Sequence, residues 1–156
     1  MNLSKAIVIT FLLISFVGFV DASFLAANHF SGVTPPCFVT QGCDIVTTSA
    51  YAKIAGIPVS ALGVLYYLSQ LVLMIYFVDK KDERVLPLIV LSSAIGFGFS
   101  LWFTYVQIFL LKSYCTYCLF SGLTSTILFA LGIVIWKQIQ EKKKLTQSEA
   151  SQAQTI

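Results

Sequence analysis

Cys115 and Cys118, in the run Ser113-Tyr114-Cys115-Thr116-Tyr117-Cys118, are the residues whose type and spacing point most directly to chemistry. The C-x-x-C pair opens an apolar run, which sets the two sulfurs one turn apart on the same face of a helix's first turn. A helix N-terminus offers unpaired N–H groups and partial positive charge, so it favours thiolate over thiol and makes a cysteine there a better nucleophile. The spacing alone also suits a static disulfide or part of a metal site. Two more cysteines, Cys37 and Cys43, stand upstream in a stretch that also holds Gly32, Pro35, Pro36 and Gly42.

The elements that must position these sulfurs lie in a membrane. Of 156 residues, 57 % are hydrophobic and 11 % charged, whereas a soluble domain carries about a quarter charged residues. Four apolar stretches, at about 6–28, 58–78, 85–111 and 114–136, are long enough to cross a hydrocarbon core of roughly 30 Å. The first also resembles a signal peptide, with Ala22 and Ser23 near a cleavage point, but hydrophobicity continues through Phe24 to Ala27 and favours a spanning helix. Asp21 within it is expected near the outer end, reaching water. The third carries Ser92, Ser93, Ala94, Gly96, Gly98 and Ser100, small residues that admit close helix packing. The fourth is bounded by Tyr114 and Tyr117 at one end and Trp136 at the other, as interfacial aromatics are.

Residues 29–57 are too polar and too broken by proline to span, and form a loop outside the membrane. Within it a short helix is expected from Asp44 to about Ala55, with Val46, Ala50 and Ile54 on one face. Such a helix would lie flat on the bundle, with Cys43 turned toward it, Ser49 at the edge and Cys37 facing outward. Pro58 suits the first turn of the next spanning helix. Residues 138–156 read as a polar tail, solvated or disordered.

Charge sets the orientation. With a cytoplasmic N-terminus and four crossings, Lys5, Lys80, Lys81, Arg84, Lys137 and Lys142 to Lys144 lie inside, and only Lys53 and Lys112 outside. The positive-inside rule therefore puts both termini in the cytoplasm. All four cysteines then fall on the outer side, periplasmic or lumenal, where disulfides persist. The C-x5-C spacing of Cys37 and Cys43, with no histidine close in sequence, disfavours zinc. Two dithiol pairs on one side can instead pass two electrons from pair to pair by thiol–disulfide exchange. The inner pair needs an acceptor that lives in lipid, and a quinone is the natural one. Cys118, one turn deeper than Cys115, is the thiol placed to meet it. A low-dielectric site disfavours thiolate, which the helix terminus and Lys112 would have to offset, although Lys112 has an ordinary role as an interfacial residue reaching water.

The pattern Cys37-x5-Cys43, Ser49 six residues on, Gly56-Ile57-Pro58, Ala61-Leu62-Gly63 and Cys115-x-x-Cys118 resembles the vitamin K epoxide reductase family and its bacterial homologues, over roughly residues 6–137. The resemblance implies an all-α membrane fold: a four-helix bundle with an extracytoplasmic loop and short half-helix capping a quinone site. It implies a disulfide generator of the plasma (inner) membrane, or alternatively of the endoplasmic reticulum, that oxidises a thioredoxin-like, DsbA-like partner and reduces a quinone of ubiquinone or menaquinone type, without a metal and without a nucleic-acid partner. By that likeness Cys37 exchanges with the partner, Cys43 bridges to Cys115 and Cys118 contacts the quinone. Ser49 matches the family's serine or threonine beside the cysteines. Phe103, Gln107 and Leu111, an i, i+4, i+8 stripe, align with the pocket, as do Tyr51, Leu62 and Tyr66. Apart from the resemblance, His29 near the outer end of the first helix is a minor candidate for assisting protons.

The departures from the animal members are informative. Val59 stands where they place an asparagine and Gly122 where they place a tyrosine, both polar contacts to vitamin K, so disulfide generation is favoured over epoxide reduction. Some bacterial members carry a fused thioredoxin-like domain. Here a polar tail stands instead, so the partner is expected to be a separate protein. The competing reading from another class is a structural membrane protein with two inert disulfides.

Overall fold

The computed structural model describes residues 5–33 and 42–153, the side chains of 149–153 excepted. Helix α1 covers Lys5–Phe30, α2 Cys43–Thr48, α3 Val59–Lys80, α4 Val85–Tyr105 and α5 Thr116–Ala153. A single 3-10 turn, Ala50–Ala52, follows α2, and a wide π turn, Val106–Leu111, continues α4. Four of these segments are long and apolar enough to cross a membrane. Their outward faces are aliphatic: Leu13, Leu65, Leu91 and Leu123 are all more than half exposed. Such surface suits lipid, where each helix satisfies its own backbone.

The bundle is solid at one end and hollow at the other. Phe11, Met74, Leu86, Ile89, Leu128 and Ile135, all essentially inaccessible, fill the half away from the cysteines. Tyr67 marks the boundary. Its ring joins that core, and its hydroxyl lies 2.7 Å from the Ser121 carbonyl oxygen and from Thr124 Oγ1, and 3.1 Å from Ser125 Oγ, tying α3 to α5. The ring lies over Gly18, where a Cβ would overlap it; Gly96 gives the Tyr66 ring the same room. Between α3 and α4 the amide of Gln70 donates to Ser92 Oγ at 2.8 Å. The small residues of α4 thus admit an aromatic ring and a polar cross-link.

Two segments depart from expectation. The outer helix stops at Thr48 rather than near Ala55, because Ser49 is extended and its hydroxyl donates to the Val46 carbonyl at 2.8 Å. Val46 is buried, but Ala50 and Ile54 are exposed. The chain then forms a two-residue hairpin, Lys53–Ile54 (β1) antiparallel to Ile57–Pro58 (β2). Its turn residues Ala55 and Gly56 both have positive φ, at 52° and 84°, as a tight hairpin turn of type I′ needs. Pro58 then caps α3. At the other end, α5 runs on through the polar segment to Ala153. Residues 138–153 contain no glycine or proline and are rich in Gln, Glu, Lys and Ala, so helix continues where the apolar run ends.

Candidate functional site

The head of α5 is built by the turn before it. The π turn ends at Lys112, whose φ of 49° is left-handed, and the backbone N–H groups of Lys112 and Ser113 both reach the Gln107 carbonyl. This folds the chain back so that the Gln107 side chain lies under Cys115. Its Oε1 accepts the Cys115 N–H at 2.9 Å, with Gln107 1 % exposed and Cys115 fully buried. Cys115 is in turn the N-cap of α5: its carbonyl accepts the Leu119 N–H at 3.0 Å, and its sulfur accepts the Cys118 N–H at 3.4 Å. The C-x-x-C pair therefore sits at a helix start as the spacing predicts.

Cys115 and Cys118 are both free thiols. The Cys118 side chain hydrogen-bonds to Cys115, and with the Cys118 and Tyr117 backbone N–H groups it outweighs burial and holds the Cys115 thiol below its ordinary range. Lys112 is exposed and takes no part in this; the donors are those of the helix terminus and of the neighbouring thiol.

Cys43, the first residue of α2, is buried and packs with Val46 against Cys115. The approach depends on Gly42, which has a φ of 146° and whose Cβ, were there one, would stand 3.0 Å from the Ser113 Cβ. Cys43 is disulfide-bonded, but not to Cys115, which carries a free thiol. The bridge between these two implied by the resemblance is therefore not formed here. Cys37 lies outside the described residues.

Beneath this cap is a cavity of about 540 Å³, lined by α1, α3, α4, α5, α2 and the hairpin and partly open to the outside. Cys118 opens into it, and with Ser121, Gly122 and Ser125 it forms an i, i+3, i+4, i+7 stripe on α5. Leu62, Tyr66 and Phe103 line it as aligned, together with His29, Val59 and Gly122. Ser49, Tyr51, Gln107 and Leu111 do not. Ser49 closes α2 against its own backbone, and Tyr51 projects outward, 43 % exposed. The stripe from Phe103 breaks because a π turn bonds i to i+5 and rotates later residues off the face of an α-helix. Gln107 is thereby directed to Cys115, and Leu111 packs against Cys43, Val46 and Cys115.

Sequence reasoning missed the α5 serines, although their spacing from Cys118 was legible. It also sent Asp21 toward water, whereas the structure sets it in the cavity wall with one carboxylate oxygen buried. Among the described residues no group of three or more His, Cys, Asp or Glu side chains could hold a metal ion.

The model of the vitamin K epoxide reductase family matches residues 9–133. The chain belongs to that family. Vitamin K epoxide reductase family proteins are oxidoreductases that use quinones, and membership implies quinone-linked thiol oxidoreductase or epoxide reductase activity. The cavity fits such a ligand in chemistry: apolar walls from Leu25, Leu62, Phe99 and Phe103, with a thiol at the head. A vitamin K epoxide reductase fold of four helices able to span a membrane thus carries its dithiol at the hollow end of the bundle.

Proposed function

We propose that this protein is a membrane thiol:quinone oxidoreductase that generates disulfides. Electrons enter from a separate, extracytoplasmic, thioredoxin-like partner at Cys37 and Cys43, pass to Cys115 and Cys118, and leave to a membrane quinone. The observation that carries this reading is the dithiol at the head of α5, with Cys118 in the cavity wall and Cys115 against Cys43. Cys115, its thiolate favoured by the helix start, is the sulfur suited to exchange with the outer pair. Cys118 is suited to the quinone. A bound quinone supplies a two-electron, two-proton acceptor.

Cys43 is disulfide-bonded and packs against the free Cys115 thiol, the juxtaposition that thiol–disulfide exchange between the outer and inner pairs requires. Val59 and Gly122 border the cavity with no polar side chain, which favours disulfide generation over epoxide reduction. The positive-inside count supports an orientation with both termini cytoplasmic.

Two experiments test the reading. Purified protein given a dithiol and either a short-chain quinone or a quinone epoxide is expected to turn over the quinone; turnover of the epoxide alone overturns it. A Cys43→Ala variant, which lacks the thiol that resolves an adduct at Cys37, is expected to accumulate a mixed disulfide with a thioredoxin-like protein. No adduct under any redox condition would favour inert disulfides.

A further inference from the structure

Asp21 is an acidic residue in the middle of an apolar helix. It lies in the wall of the same cavity as Cys118, and its Oδ2 is buried with no hydrogen-bond partner among the described residues. A buried, unpartnered carboxylate oxygen is costly, and a native structure that keeps one calls for a reason. Its charge acts on the dithiol, opposing thiolate formation at Cys115. Asp21 is also not alone. With Leu25, Asn28 and His29 it forms an i, i+4, i+7, i+8 stripe on α1, all lining the cavity and running toward the C-terminal end of the helix.

Closing the Cys115–Cys118 disulfide breaks two S–H bonds and forms one S–S bond, delivering two electrons and two protons to the quinone, whose two carbonyl oxygens become hydroxyls. We propose that the Asp21 carboxyl is the proton carrier for this step, taking the proton of the Cys118 thiol and giving it up to the quinone oxygen, so that it ends as the carboxylate it began as. The second proton leaves Cys115 to water and reaches the second oxygen from water. The inference rests on the thiol:quinone reading and adds the route of the proton.

The ionisable groups facing Asp21 are few. Those that share its cavity are His29 from its own helix, Lys53 from the hairpin, Tyr66 and Tyr67 from α3, and Cys118 from α5, with Cys115 behind Cys118 feeling its charge; the α4 wall offers none. Asp21 is the only carboxylate among them.

The test uses the full chain in detergent, with dithiothreitol as reductant and a short-chain ubiquinone as acceptor, and compares Asp21→Asn and Asp21→Glu. Asp21→Asn is expected to lower the rate of quinone reduction about a hundredfold, the lower range for general acid–base groups, and to abolish the acid limb of the pH profile. Asp21→Glu restores most of the rate. An independent readout is alkylation of Cys115 by iodoacetamide, followed by peptide mapping without quinone. Loss of the opposing charge moves its pH midpoint down in Asp21→Asn. An unchanged rate, pH profile and alkylation midpoint in Asp21→Asn overturns the proposal. If the unaltered protein reduces no quinone, the thiol:quinone reading fails and the proton's destination with it; the alkylation midpoints then decide separately whether the carboxylate acts on the dithiol.

Discussion

Replacing Gln107 by leucine removes the side-chain acceptor that holds the head of α5. The Oε1–N distance is 2.9 Å and neither residue is reached by solvent, so the Cys115 N–H is left buried and unpaired. The penalty for such a group is about 1–3 kcal/mol, since leucine is of similar size and leaves little cavity. For a chain of this length each kcal/mol moves the melting temperature by about 2–4 °C, so Gln107→Leu is expected to melt roughly 2–12 °C below the unaltered protein. Gln70→Leu is the comparator. Gln70 is equally buried and donates to Ser92 Oγ at 2.8 Å, but its own Oε1 is unpartnered, and Ser92 keeps its bond to the Leu88 carbonyl. Losing one hydrogen bond while removing one unsatisfied acceptor leaves a net change of under about 1 kcal/mol. Thermal unfolding in detergent, with the rate of Cys115 alkylation as a local probe, reads both effects. Equal melting of the two variants, or Gln107→Leu melting with the unaltered protein, would show that the amide does not hold the helix head.

Three further outcomes are expected. Removing the Cys118 hydrogen bond in Cys118→Ala raises the Cys115 thiol, so its alkylation midpoint moves up in pH and its rate at pH 7 falls; a midpoint that stays put or drops contradicts the assigned donor. Tyr67→Phe strips the hydroxyl from Ser121, Thr124 and Ser125, and is expected to destabilise by about 1–3 kcal/mol, read as a lowered unfolding midpoint. Gly96→Ala forces a methyl into the Tyr66 ring, an overpacking of about 1–3 kcal/mol. Because that ring lines the cavity, a spectral or affinity change for an added quinone should accompany it, whereas Gly98→Ala, with open space at its Cβ, should be silent.

Much of this protein is legible in its residues taken alone. Four long apolar runs define four helices able to span a membrane, because a chain in lipid must satisfy its backbone internally. The C-x-x-C spacing at the start of an apolar run likewise determines that two sulfurs share a helix's first turn, since that follows from the pitch of the helix. What only the tertiary structure decided is where side chains in irregular backbone point. A π turn between Val106 and Leu111 sends Gln107 to the Cys115 N–H instead of the cavity, and an extended Ser49 cuts the outer helix short. Asp21 faces inward because α1 packs on α3 and α5 with that stripe against a hollow. Periodicity reports a helix face only while the helix stays regular, and which face is buried depends on neighbours that are distant in the chain.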